Sequence, residues 1–303
     1  MARLRFALSF LEPSSSENHL FDNMHSYVHV DEKWFYLTKV RRKFYVYEDE
    51  EIAARSVKSK GFITKVMFLA AVARPRYDYH RKTEFDGKIG VWLFVELVPA
   101  KQSSKDRPKG SIVVVPKNVD SLTYQSVILE KVIPAIKEKF PRAGQAQCVT
   151  FQQDNASPHK CLTTEFLAAN GVNGVSVVNQ PANSPDFNVL VLGFFNSIQS
   201  LQYQKTTRTI EEVILAVEDA FRELPSSSLS KNFLTLQKVM EISMSLEGDN
   251  NYKLPHMRKD VCIENLLEYN VECDQASFEN TLIQLDYLLG EEANMEGQMN
   301  SFE

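Results

Sequence analysis

The chain has 303 residues and carries 34 Lys or Arg against 39 Asp or Glu, which gives a formal net charge of −5. Hydrophobic residues make up 44% and charged residues 24%, proportions that exclude collagen-like, low-complexity and wholly disordered chains. The longest uninterrupted apolar run, residues 66–73, is far shorter than a bilayer span, so we expect no membrane segment. The four cysteines form no Cys-x-x-Cys pair, which argues against a structural zinc site and is typical of a reducing compartment.

The net charge conceals an asymmetry between the two halves of the chain. Residues 1–150 carry 25 Lys or Arg and 17 Asp or Glu, a net charge of +8, whereas residues 151–303 carry 9 and 22, a net charge of −13. Residues 260–303 include 11 acids and no Lys or Arg. Such an asymmetry indicates a nucleic-acid partner on the basic side, with simply solvated basic loops as the alternative.

The first part of the chain is predicted to be mainly strands. A short helical pattern at residues 4–11 ends at Pro13. Runs rich in β-branched and aromatic residues then predict a meander of strands. These strands are residues 28–37, 43–48, 65–73, 91–98 and 112–115.

Helices and strands alternate in the next part. Apolar residues at helical spacing predict a helix over residues 123–139, in which Pro134 implies a kink or an early end. Further on, Thr209 and Glu212 form a capping box that opens another helix, which Pro225 ends. Between the two lie strands 148–152 and 174–178 and a helix at 189–202. This order predicts an α/β fold with a mixed central sheet and helices on both faces.

Acidic residues at strand positions are the first candidates for a functional site. Asp31 lies in the middle of the β-rich run 28–37, where an acid is expensive unless it is paired or bound to a metal. Asp154 follows strand 148–152, at the carboxyl end where ligands bind in open α/β sheets. Two such aspartates could share Mg²⁺. On spacing alone, the favoured interpretation of Asp154 is an Asx turn or a helix N-cap.

Other catalytic classes receive less support. The histidines near the two aspartates fit no zinc template, and a hydrogen-bonded structural role is the favoured interpretation of each. The sequence has no Gly-x-Gly-x-x-Gly motif, P-loop or nucleophile elbow. Ser/His/Asp catalysis stays open, without a local signature that favours it. The histidines concerned are His19, His25, His29 and His159.

Three blocks of sequence resemble the catalytic blocks of mariner-like transposases. Residues 28–36 (VHVDEKWFY) are similar to the first-aspartate block, residues 151–159 (FQQDNASPH) to the second, and residues 179–195 (NQPANSPDFNVLVLGFF) to the third. Residues 58–75 are also similar to the branch of the family found in plants and other non-animal eukaryotes. The resemblance covers about residues 4–245 and rests on several blocks in the family's order.

The resemblance implies a ribonuclease H-like core of the DDE/DDD superfamily, a mixed sheet flanked by helices, over residues 24–225. Residues 1–23 would be a linker remnant, and residues 226–303 a helical extension with an acidic, partly disordered tail. The implied chemistry is Mg²⁺- or Mn²⁺-dependent hydrolysis and strand transfer at transposon ends, by a homodimer on DNA in the nucleus. Asp31 would bridge two metal ions, Asp154 would hold one of them, and a third aspartate the other.

The third aspartate is where this sequence departs from the family. In the family it comes five residues after the Asp of a Ser-Pro-Asp triplet, and counting from Asp186 that position is Val191. Position 191 lies 37 residues after Asp154, a spacing in the family's range, so the register is kept and the residue is changed. Valine offers no oxygen to a metal ion, and Asp186 is a poor substitute because it lies in the preceding loop. We therefore expect a weakened metal site and impaired catalysis.

DNA recognition is the second departure. The family carries a helix-turn-helix region ahead of the core, and this sequence starts at the linker that follows that region. We therefore expect nonspecific, salt-sensitive DNA binding rather than recognition of terminal repeats. The phosphate contacts are assigned to basic residues of the first half, namely Lys39, Arg41, Arg42, Lys43, Lys58 and Lys60.

Two alternatives remain beside a defective transposase. The first is a non-catalytic DNA-binding or interaction protein derived from a transposase. The second is an unrelated α/β hydrolase or nuclease, which would require an acid pair other than Asp31 and Asp154 to converge in the fold.

Overall fold

A computed structural model of the chain describes residues 1–12, 19–37, 64–103, 107–141 and 148–300. Six strands of the described chain form the central sheet, and four short strands form two small two-stranded ladders. The strands are β1 His19–Leu20, β2 Tyr27–Tyr36, β3 Lys65–Ala73, β4 Arg76–Asp78, β5 Thr83–Phe85, β6 Lys88–Pro99, β7 Ile112–Pro116, β8 Val149–Gln153, β9 Val175–Asn179 and β10 Glu272–Cys273.

The central sheet is mixed, with the strand order β7-β6-β3-β2-β8-β9. Strands β2, β3, β6 and β7 pair antiparallel, as a meander does. Strands β8 and β9 join the other edge in parallel, β8 beside β2 and β9 beside β8. The antiparallel half therefore meets the parallel half at β2, the strand that contains Asp31.

Nine α-helices are described outside the strands. No helix in the described ranges is long and apolar enough to cross a membrane. The helices are α1 Ala2–Leu8, α2 Ser121–Val127, α3 Ile133–Lys139, α4 Thr164–Ala169, α5 Phe195–Gln202, α6 Ile210–Glu223, α7 Ser226–Ser245, α8 Lys259–Cys262 and α9 Gln275–Asn300. A π-helical segment, Ile128–Val132, joins α2 to α3, and another, Leu190–Phe194, precedes α5.

The sheet is covered on both faces, each by its own hydrophobic core. One core includes Phe35, Phe68 and Phe233 and contains buried residues from α1, α5, α6 and α7. The other includes Tyr124 and Phe151 and contains buried residues from α2, α3 and α4. The predicted mixed sheet with helices on both faces is thus the observed architecture.

Most predicted elements agree with the structure to within three residues at each end. The clearest local difference concerns Pro134, where an early end of the helix was one of the two expectations. The helical run instead continues through Pro134 to Lys139. Since proline has no N–H to donate, the chain accommodates it with a π-helical segment just before it, and α3 starts at Ile133. In the predicted helical region 226–303, α9 extends to Asn300, and the order of the tail stays a prediction. The predicted strand 43–48 lies outside the described residues.

The first helix belongs to the main core. Leu4 and Ala7 are fully buried and Phe10 is 1% exposed. The Phe10 ring lies 5.1 Å from the Phe6 ring and 4.8 Å from the Tyr27 ring, which ties the start of the chain to β2. These residues therefore contribute to folding and do not simply precede the folded part.

We expect Phe10→Ala to lower the free energy of unfolding by about 3–5 kcal/mol, because it removes a buried aromatic ring and leaves a cavity. Arg5→Ala, at an exposed position of the same segment, is the matched control and should change it by less than about 0.5 kcal/mol. Urea titration measures both. Equal effects of the two substitutions would contradict the packing of α1 into the core.

Candidate functional site

The register of two parallel strands sets Asp31 beside Asp154. Strand β2 pairs with β8 so that Tyr27 lies opposite Thr150 and His29 lies opposite Gln152. Continuing this register by two residues places Asp31 opposite Asp154, which directly follows β8. Neighbouring strands lie about 4.8 Å apart, so the two side chains start from adjacent backbone positions.

Each aspartate has one oxygen engaged in hydrogen bonds. Oδ1 of Asp31 accepts from the backbone N–H of Glu32 at 2.8 Å. Oδ1 of Asp154 accepts from the backbone N–H of Ala156 at 3.0 Å, which is the Asx turn considered from the sequence, and from Nδ1 of His159. Within the described ranges, neither Oδ2 accepts a hydrogen bond. Carboxylate oxygens are the ligands that Mg²⁺ and Mn²⁺ prefer, so both are suitable donors for a cation.

The pKa values of the two carboxyl groups are shifted in opposite directions. Burial, followed by the negative charge of Glu32 and then that of Asp154, raises the pKa of Asp31 to about 8. Burial also acts to raise the pKa of Asp154, but hydrogen bonds from His159 and Ala156 hold this pKa below its usual value. A buried carboxyl such as Asp31 keeps its proton at neutral pH unless a cation replaces it. Asp31 and Asp154 therefore offer two of the oxygen ligands that a divalent ion requires.

A lysine beside the pair adds a positive charge. Nζ of Lys33 donates to Oδ1 of Asn196 on α5 at 3.2 Å. Burial lowers the pKa of Lys33, whereas the charge of Asp31 acts to raise it. Lys33 follows Asp31 by two residues in β2, so both side chains point to the same face of the sheet. That face of β2 therefore carries an acid and a base two residues apart.

The position predicted for the third acid is apolar. Val191 lies in the π-helical segment Leu190–Phe194 and is 39% exposed. Asn188 anchors this segment to β2, since its Nδ2 donates to the carbonyl oxygen of Val30 at 3.4 Å and its Oδ1 accepts from Leu190 N at 3.0 Å. No three His, Cys, Asp or Glu side chains in the described part converge on a possible metal position. The acid pair thus lacks a third acidic ligand there.

Asp186 does not replace the missing acid. Both of its carboxylate oxygens accept from Arg3, at 2.8 and 2.6 Å, and Oδ2 also accepts from the hydroxyl of Tyr252. Burial acts to raise the pKa of Asp186, but these bonds, with Arg3 first, hold it below its usual value. The carboxylate is committed to fixing α1 against the loop before Phe187, whose ring lies 4.1 Å from the Arg3 guanidinium.

We expect Asp186→Asn to destabilise the protein by about 2–3 kcal/mol at neutral pH, because a half-buried Arg3 loses its charged acceptor. A carboxyl with a lowered pKa stabilises the fold above its unfolded pKa of about 3.9 and loses this effect as the pH falls. The difference from the wild type should therefore shrink below about pH 4. Urea midpoints across pH test this, with the exposed Asp286→Asn as control. A difference that did not change with pH would contradict it.

His159 joins the acid pair to the other face of the sheet. Its Nδ1 donates to Asp154, its Nε2 donates to Oε1 of Glu32 at 3.1 Å, and its ring stacks on Tyr124 with centroids 4.1 Å apart. Burial acts to lower the pKa of His159, but the two carboxylates raise it to about 10. The sequence indicated a hydrogen-bonded histidine here and did not identify Glu32 as its partner. The sequence feature that could have pointed to Glu32 is the alternation of side chains along β2, which places Glu32 on the opposite face from Asp31.

Solvent reaches Asp154 through an open cleft. Asp154, Asn155 and Ala156 line one side, and residues 180–185 line the other. Gln180 is 5% exposed, and its Oε1 has no hydrogen-bond partner within the described ranges. The six basic residues predicted to contact DNA, Lys39, Arg41, Arg42, Lys43, Lys58 and Lys60, lie outside the described residues.

Comparison with solved structures identifies the fold. A pre-cleavage Mos1 transpososome is similar at a TM-score of 0.55 and 19% identity, covering 75% of this chain and 57% of the Mos1 chain. The Mos1 mariner paired-end complex with Mn has a TM-score of 0.52, 18% identity, and coverage of 72% and 54%. The complex with Mg has a TM-score of 0.52, 19% identity, and coverage of 75% and 56%. This chain has the fold of the matched part of the Mos1 chains.

The predicted fold class, a ribonuclease H-like mixed sheet flanked by helices, is therefore confirmed. The chain spans a little over half the length of the Mos1 chains in these three complexes. No protein-family model matches the chain, and no curated protein sequence matches it. At 18–19% identity the likeness establishes the fold, and the chemistry has to be argued from the residues of the site.

Proposed function

We propose that the chain is the catalytic domain of a mariner-like transposase whose acid pair, Asp31 and Asp154, binds Mg²⁺ or Mn²⁺, and whose catalysis is impaired by Val191. The observation that carries this proposal is the β2–β8 register, which sets Asp31 opposite Asp154. It is supported by the sequence pattern, which expects the third acid at Val191 in the segment that Asn188 joins to β2.

Several features support a divalent ion at the pair. The Mos1 mariner complexes named above include one with Mn and one with Mg. Oδ2 of Asp31 and Oδ2 of Asp154 would hold the ion, which when bound would activate the attacking oxygen and stabilise the leaving oxygen at phosphorus. Burial of Asp31 limits water at the site, and Lys33 supplies a positive charge toward a phosphate on the same face.

Val191 removes one ligand from this arrangement. Loss of residues that only orient metal ligands lowers metal affinity or activity by about 10–100-fold, and loss of a ligand itself should lower it at least as much. Asp186 cannot compensate, because Arg3 and Tyr252 hold it. The site therefore keeps a partial capacity for metal and little capacity for strand cleavage.

We expect Val191→Asp to raise Mg²⁺-dependent nicking of supercoiled DNA at least about tenfold, because it restores the missing carboxylate at a half-exposed position. A gel assay with Mg²⁺, Mn²⁺ or EDTA measures this. The control is Asp31→Asn made in the Val191→Asp background, which should abolish the gain. Equal, robust nicking by the unmodified chain and the Val191→Asp variant would contradict the defect.

DNA is the proposed partner, in the nucleus and with the protein as a homodimer. The matched Mos1 transpososome and paired-end complexes support DNA as the partner, and so does the positive charge of residues 1–150. We assign the phosphate contacts to the six residues Lys39, Arg41, Arg42, Lys43, Lys58 and Lys60. Exposed basic residues of the described first half add to this charge, namely Lys82, Lys101, Arg107, Lys109, Lys117, Lys131 and Lys137.

Binding to DNA should weaken steeply with salt, since each neutralised phosphate releases counterions. Replacing Lys39, Arg41, Arg42 and Lys43 by alanine should lower affinity and reduce the slope of log K against log salt by up to about 3.6, or about 0.9 per contact. Fluorescence anisotropy on a duplex of arbitrary sequence measures both. Lys253→Ala with Arg258→Ala, exposed residues of the acidic half, is the control. A slope unchanged by the four substitutions would contradict the assignment.

Val191 is also compatible with a second function, that of a non-catalytic protein. A transposase-derived protein that binds DNA or other subunits without cleaving it needs the fold and the basic surface, and tolerates Val191 without penalty. The nicking assay separates the two. A Val191→Asp variant that binds DNA and metal and still does not nick favours the non-catalytic protein.

A further inference from the structure

Hydrogen bonds join Glu32, His159 and Asp154 in a chain. This chain links the acid pair to the core that includes Tyr124 and Phe151. Asp31 and Glu32 point to opposite faces of β2, because strand side chains alternate. Asp154 follows the end of β8, where its carboxylate reaches His159 on the Glu32 side. His159 is 4% exposed, and the Glu32 carboxylate that accepts from its Nε2 at 3.1 Å is 11% exposed.

His159 is itself held from three directions. Its ring stacks on Tyr124 at an interplanar angle of 29°, and its carbonyl oxygen accepts from Nε2 of Gln153 at 3.0 Å. The Tyr124 hydroxyl donates to Oε1 of the same Gln153, also at 3.0 Å. Glu32 holds the far nitrogen of the ring. The position of the imidazole is therefore fixed by packing and by hydrogen bonds that involve no metal ligand except Asp154.

The fixed imidazole in turn orients the Asp154 carboxylate. Its Oδ1 receives two donors, Nδ1 of His159 and the N–H of Ala156, which together fix the rotation of the carboxylate plane. Oδ2 is left as the oxygen without a hydrogen bond in the described part of the chain. A ligand that is oriented in advance loses less entropy on binding a metal ion, which is why partners of metal ligands strengthen binding.

We propose that His159 is a positioning residue for the metal site, which fixes Asp154 through Nδ1 while Glu32 fixes His159 through Nε2. This inference rests on the proposed function, since it assumes that Asp154 is a metal ligand. It adds two residues outside the acid pair, one on β2 and one on the turn Ser157–His159, to the set that determines metal affinity.

The test is Mn²⁺ affinity, measured by the electron paramagnetic resonance of free Mn²⁺, in the full chain with Val191→Asp as parent. His159→Phe keeps a ring that stacks on Tyr124 and removes both donors, and we expect it to weaken Mn²⁺ binding about 10–100-fold. His159→Asn retains one donor near Nδ1 and should recover part of this loss. Glu32→Gln should weaken binding by less than His159→Phe, because the Asp154 contact remains.

Thermal unfolding and His80→Phe, at an exposed histidine, serve as controls. If His159 had a structural role alone, His159→Phe would have a lower melting temperature, and His159→Phe and His159→Asn would bind Mn²⁺ with the same affinity. If folded His159→Phe binds Mn²⁺ as tightly as the parent does, the role of His159 is overturned. That result would leave the proposed metal site itself unaffected. If the parent itself binds no Mn²⁺, the proposed function fails and this inference fails with it.

Discussion

The site depends on the parallel pairing of β2 with β8. This pairing brings together two segments that are distant in sequence, and its register determines which side chains lie opposite one another. Both faces of the sheet are buried, so a one-residue slip of β2 would turn Val28 out of its core and His29 into it. A one-residue slip of β8 would likewise turn Phe151 out of that core. Core packing on both faces therefore sets the alignment of Asp31 with Asp154. The chemistry of the site follows from hydrophobic burial.

Much of the fold could be predicted from the sequence because its strands are strongly β-branched and aromatic. Strand 65–73 was predicted to the residue, and β2 to within one residue at each end. Asp31 and Asp154 were selected by their places in or after strands and by the resemblance of their blocks. The domain boundaries at 23 and 225 stay predictions. Residues 1–12 nevertheless pack into the main core, through Phe10, with α7.

The partners of the site residues could not be predicted, because they come from distant parts of the chain. Arg3 lies 183 residues before Asp186, and no local pattern connects them. Glu32 lies 127 residues before His159, and the Tyr124 ring that stacks on His159 comes from α2. Alternation along β2 predicts only which face Glu32 occupies. Tertiary packing decides which residue meets it there.

The change at position 191 shows how fold and chemistry separate. Asn188 fixes the π-helical segment to β2, and Gln152 Nε2 donates to the carbonyl oxygen of Phe187 at 2.9 Å, so residue 191 has no part in anchoring it. Val191 is 39% exposed and lies outside the buried cores, so a valine at this position leaves the core packing unchanged. On the proposed function, the same position would contribute a metal ligand if it were an aspartate, so the fold and the proposed chemistry depend on different residues.

The most direct test of the metal site is a crystal of the unmodified chain soaked in excess Mn²⁺, with data collected at the manganese absorption edge. The account predicts an anomalous peak beside the carboxylates of Asp31 and Asp154. It also predicts that no protein oxygen from position 191 reaches the ion. A peak at another set of carboxylates, or side chains of Asp31 and Asp154 too far apart to share one ion, would contradict it.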